Sequence, residues 1–261
     1  LTFADFNITV SSYEFPFNER IRTFLRLEDL FSKILLNVEG GEQHHHHAAL
    51  ISLLQMLDIV DRADLKMDLV GELDRQRLAM QNLRGNPIIA EKALDKILRE
   101  VGACSTALRA DGSKFGQHLR ENEWLMGIKQ RSGILGGVCQ FDLPSYHHWL
   151  GLDSNRRKSD FDGWLARLMP MHEAIKTILR ILRGSDSPRK FTAQNGFYQQ
   201  MLGGAKPAQM LIINVPDSCP CFPEVSANKY AINVRFSALD FVQKPKPCDQ
   251  DLDFTMTLCN L

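Results

Sequence analysis

From about Asn18 to about Gly184 the apolar residues recur at the three-to-four-residue spacing of helices that each bury one face. Asn18 is placed to cap a first helix whose inward surface is Ile21, Phe24, Leu25, Leu27, Phe31, Ile34 and Leu35, and Gly40-Gly41 ends it. A second segment runs from the histidines at 44–47 through Leu50, Leu53, Leu54 and Leu57. A third sets Leu65, Leu69, Leu73 and Met80 on one side as far as Gly85. Asn86-Pro87 reads as the cap and first turn of the next, with Leu94, Ile97, Leu98 and Val101 inward. Further helices are expected over 117–131, 144–150 and 161–183, the last bent near Pro170.

After Gly184 the period changes to alternation. Tyr230, Ile232, Val234 and Phe236 face one way, and Leu252, Phe254, Met256 and Leu258 repeat the scheme against Asp253, Thr255 and Thr257. Residues 210–215 form a third, more buried strand. Residues 6–13 also read as a strand, with Ile8 and Val10 on one face and the late strands as its partners. The expected fold is α+β: a mostly α-helical domain over 17–190, plus a smaller antiparallel β-sheet domain built from both chain ends, 1–16 and 191–261, with Pro16 at the passage between them.

A chain of 261 residues can bury such cores without covalent staples. Lys+Arg and Asp+Glu are both 31, so no global charge draws the chain to nucleic acid or anionic lipid, and any anion site must be local. The six cysteines, 104, 139, 219, 221, 248 and 259, include no Cys-x-x-Cys pair, and Cys219-Pro220-Cys221 has the wrong spacing for a zinc ribbon. Free thiols in a reducing compartment follow. The first fifteen residues lack the basic start and apolar middle of a signal peptide, and the apolar runs are too short to span a bilayer. These features point to a cytoplasmic protein with no membrane partner.

Candidate chemistry concentrates in Gly136 to Leu150, where thiol, carboxylate and imidazole groups crowd one corner. Paired glycines make a turn, 138–141 reads as a short strand, and Pro144 opens a helix with His147 and His148 in its first turn. A cysteine- or metal-dependent hydrolase using Cys139 and His147 is the alternative reading of this corner. It requires the imidazole within hydrogen-bond reach of the sulfur. The run His44-His45-His46-His47 offers at most one i, i+3 chelating pair and no HExxH motif, so no dedicated metal site is expected. No Gly-rich phosphate cradle is present, and no cofactor is expected. Arg22 and Arg26 stand one helical turn apart, a like-charged pair that reads either as a solvated face with Asp29, three residues beyond Arg26, as a local partner or as a clamp for an anion. Their planar forks suit carboxylates better than lysine does.

Four blocks, PFNERIRTFLRLEDLF, GELDRQ, GGVCQFDLPSYHHWL and NGFYQ, occur in an order that resembles the ZapD family, cytoplasmic proteins that associate with the bacterial division GTPase FtsZ. The resemblance implies a non-enzymatic homodimeric adaptor at the mid-cell division ring. It would grip the C-terminal tail of FtsZ in a basic pocket and cross-link protofilaments, without nucleic acid. By the same resemblance the tail-binding residues are Arg22, Arg26, Arg62, Lys129, Arg131, His147 and Arg235. Glu123 and Ala231 stand where some relatives carry arginine, which implies a smaller or less positive pocket.

Overall fold

The N-terminal cap forms as its spacing dictates: the amide of Ile21 donates to Asn18 Oδ1 at 2.8 Å and opens α1, Glu19–Gly40. The computed structural model describes residues 10–62, 64–87, 90–110, 112–202, 208–228 and 230–261. The fold is α+β, in two compact units: Leu1–Arg22 with Arg180–Leu261, and Thr23–Leu179.

The helical unit is built from most of α1, then α2 (Gln43–Arg62), α3 (Leu65–Gln81), α4 (Glu91–Ala110), α5 (Gln117–Arg120), α6 (Glu123–Ser132), α7 (Pro144–Leu150), α8 (Ser154–Leu165) and the start of α9 (Met169–Arg183). Phe24, Leu27, Phe31 and Ile34 of α1 and Leu50, Leu53 and Leu57 of α2 are buried, so the inward stripes fall where the periodicity put them. Leu25 and Leu35 are only half-buried. Gly41, at φ 75°, turns α1 into α2, a backbone geometry that suits glycine. Polar groups also enter this core. Glu72 is buried with Arg75 and with Gln76, whose Nε2 donates to Glu72 Oε1 and to the carbonyl of Ile178, tying α3 to α9.

Several expected boundaries are corrected. Helix α4 starts at Glu91 rather than at Pro87, the chain around Asn86 being a turn closed on Leu83 O. The helix expected over 117–131 is two helices, because Asn122 accepts from the amide of Leu125 and starts α6 afresh. That expected over 161–183 is also two, and Pro170 lies in the first turn of α9, where its missing N–H costs nothing. Residues 138–141 form turns, not a strand, following Gly136 at φ 71°. Helix α7 spans only seven residues, so His147 and His148 occupy its last turn instead of its first.

In the other unit, β1 (Val10–Pro16), β2 (Arg189–Ala193), β4 (Met210–Pro216) and β8 (Leu252–Cys259) form one antiparallel sheet in the order β1-β4-β8-β2. A second sheet runs β3-β6-β5, from Phe197–Met201, Ala231–Ala238 and Cys221–Ala227, with β7 (Lys246–Pro247) paired to β6. The N-terminal strand pairs with a late one, Val10 opposite Pro216 through Pro16 opposite Met210, although the expected residues 6–9 lie outside the described residues. Ile213, Val215, Ile232, Val234, Phe236, Phe254 and Met256 from both sheets make the core, with the rings of Phe236 and Phe254 5.2 Å apart. Tyr230 is exposed, because the strand begins one residue later, and the outer face of β8 is not wholly wet: Thr257 is buried. Within this unit Arg183 Nε and Nη2 donate to the two Glu14 oxygens at 2.6 and 2.8 Å, a bidentate clasp on β1.

No helix among the described residues is long and apolar enough to cross a membrane.

Candidate functional site

In the helical unit Arg26 lines a hollow of about 410 Å³ with Asp29, Leu30, Lys33, Gln55, Asp58 and Ile59. The floor is apolar, from Leu30 and Ile59; the walls are charged, because α1 and α2 turn their solvent faces together here. Lys129 of α6 reaches the same place, its Nζ 2.6 Å from Asp58 Oδ1, and Lys33 sits 2.6 Å from Asp29 Oδ2. Arg26, Lys33 and Lys129 thus gather beside the carboxylates of Asp29 and Asp58. Both ion pairs are exposed on at least one side, so each contributes at most about 1 kcal/mol and can exchange partners with an incoming carboxylate.

The structure therefore brings Arg26 and Lys129 together around Asp58. Arg62 ends α2, with its side chain outside the described residues. Arg131 is exposed at the end of α6 and has no acidic partner among the described residues. His147 is exposed on α7. Sequence reasoning missed Lys33 and Asp58. Lys33 was legible as the i+4 partner of Asp29, whereas Asp58 becomes relevant only through a contact 71 positions away in the chain.

Arg22 and Arg235 belong to the unit of strands. Arg22 lines a larger hollow, about 770 Å³, with Phe15, Pro16, Phe17, Leu202, Ala208 and the segment Val225 to Asn228. Edge strands β1 and β5 border it, and its one cation among the described residues is Arg22, whose guanidinium lies 3.6 Å from the exposed Glu19 carboxylate. Arg235 is exposed on β6, directly opposite Glu224 in register. Of the two departures, Glu123 is exposed in the first turn of α6, where a carboxylate complements the helix dipole, and Ala231 is buried at the start of β6.

The histidine run is not a uniform exposed tract. His46 is fully buried: its Nε2 lies 3.1 Å from Val38 O, and its Nδ1 accepts from Arg157 Nε at 2.7 Å. That contact fixes the proton on Nε2, which donates to Val38. Arg157, itself buried, also donates to the carbonyls of Gly41, Leu150 and Leu152. His47 Nδ1 is 2.7 Å from the hydroxyl of Tyr146, whose ring stacks on Trp149. Burial lowers the pKa of His46 and of His47 and raises that of Tyr146. These two imidazoles hold α2 to α7 and α8 and are not ligands in waiting.

Cys139 is exposed in the turns before α7, and neither its thiol nor the imidazole of His147 has a hydrogen-bond partner among the described residues. The activated thiol that the hydrolase reading requires is not formed.

The family model described as ZapD, cell division protein, matches residues 25–235. Curated proteins named cell division protein ZapD are similar over nearly their whole length. The one from Aromatoleum aromaticum is 48% identical over 252 residues, 97% of this chain and 98% of the relative. That from Dechloromonas aromatica is 48% identical over 253 residues, 96% and 99% respectively. That from Nitrosomonas europaea is 42% identical over 254 residues, 97% of each.

Proposed function

The chain belongs to the ZapD family of cell division proteins, and from that premise we propose that it is a non-enzymatic adaptor that binds the C-terminal tail of FtsZ. As a homodimer it would cross-link FtsZ protofilaments and stabilise the ring at mid-cell. The observation that carries the reading is the hollow at Arg26, where loosely paired cations stand over an apolar floor. A disordered tail carrying carboxylates between apolar residues fits both features. Arg62, Arg131 and His147 are proposed as further tail contacts in this unit, and Arg22 and Arg235 as tail-binding residues of the other unit.

Two-fold symmetry supplies the rest of the mechanism. A dimer presents the same tail site twice, so one binding chemistry becomes a bridge. Each contact can be weak, because many tails along a polymer give avidity, and an ordering segment exchanges quickly.

The deciding experiment is co-sedimentation with FtsZ polymers, with and without the FtsZ tail. The protein is expected to pellet and to bundle only polymers that carry tails. Equal pelleting with tailless polymers would overturn the assignment. A tail peptide titrated by calorimetry should also bind more weakly as salt rises, since exposed charges are screened over about 8 Å at physiological ionic strength. A flat affinity would identify the apolar floor, not the cations, as the principal contact.

A further inference from the structure

With His46 and His47 turned into the core, the other half of the histidine run is left at the Gly40–Gly41 corner. Glu42, His44 and His45 each offer one ligand atom there, and these atoms lie within 4.8 Å of one another. Glu42 Oε2 is 3.3 Å from His44 Nδ1, and the rings of His44 and His45 are 4.1 Å apart. The corner also holds His45 in place. Gly40 has no side chain, and a Cβ there would come within 2.6 Å of His45 Nδ1, so the imidazole lies against the glycine. That nitrogen is buried and has no hydrogen-bond partner among the described residues, so no protein donor competes for the imidazole there.

We propose that Glu42, His44 and His45 form a site for a divalent transition-metal ion at the α1–α2 corner. Two imidazoles and one carboxylate suit the borderline ions zinc, nickel, cobalt and copper, not magnesium or calcium, which require mostly oxygen ligands. Three protein ligands on an exposed corner leave the remaining positions to water, so the ion exchanges with the medium. Glu39, three residues before Glu42, is engaged by Lys158 at 2.7 Å, and Glu42 supplies the negative charge of the cluster. An ion here would clip the residue before α2 to the first turn of that helix, adding to folded-state stability by mass action.

Cobalt(II) titrated into the full chain, without an affinity tag and with its thiols reduced, tests this. The expected result is one bound ion per chain whose absorption shows no thiolate-to-cobalt charge transfer. Glu42→Gln and His44→Ala should each weaken binding by at least about tenfold, since even outer-shell partners of a metal are worth 10–100-fold. Both side chains are about 70% exposed, so circular dichroism should be unchanged in each variant. A thiolate band would place the ion on cysteine. Unchanged affinity in Glu42→Gln would reduce the run to adventitious histidine binding. Either result overturns the site.

Discussion

Arg157→Ala is expected to lower the stability of the helical unit by about 3 kcal/mol or more, because it strands several buried acceptors at once. Arg157, only 4% exposed, donates to His46 Nδ1 and to the carbonyls of Gly41, Leu150 and Leu152. Each orphaned acceptor costs roughly 1–3 kcal/mol, and relaxation recovers part of the sum. Arg157→Lys should restore little, since an ammonium lacks the fork that reaches His46 and Gly41 together. Urea unfolding followed by helical circular dichroism gives the measurement, and a change under 1 kcal/mol would mean the knot is not structural.

The same knot sets a pH dependence. Burial lowers His46, His47 and His172 from the ordinary value of 6.5, so the unfolded chain binds protons that the folded one refuses. Stability from these groups is therefore complete above pH 6.5 and is lost as pH falls from there through the lowered folded values. His46→Gln should flatten part of that slope.

What the sequence discloses of this fold follows the range of the interactions involved. Helix α1 was legible in full because Asn18, the apolar stripe and Gly41 are all local signals. The breaks at Asn122 and before Pro170 were hidden by an apolar period that continues across them, although both residues are start signals when taken on their own. Residues 138–141 look like a strand in composition, yet the chain there closes turn upon turn, the amide of Cys139 donating to Gly136 O and that of Asp142 to Cys139 O. The turn that carries the chain from β2 in one sheet to β3 in the other is made by Asn195-Gly196, both at positive φ, a dipeptide signal that was present and unused. In the candidate site the arginine spacing was visible. The pairing of Lys129 with Asp58 and of Arg157 with His46 was not, because 71 and 111 residues separate the partners.

Arg26→Glu is expected to abolish FtsZ bundling while leaving the helices intact. Arg26 is exposed on α1 and glutamate is as good a helix former as arginine, so the helix tolerates the change. The hollow does respond: a cation that lines it becomes a carboxylate beside Asp29 and Asp58, and an acidic tail meets repulsion where it met attraction. The converse change separates this account from general damage. Asp58→Asn removes the carboxylate that holds Lys129, so the freed ammonium should tighten tail binding several-fold, which no misfolding would do. Calorimetry with a tail peptide and sedimentation of FtsZ bundles read the two variants in opposite directions. If Arg26→Glu bundles normally with unchanged circular dichroism, or if Asp58→Asn weakens binding, the tail does not dock in this hollow.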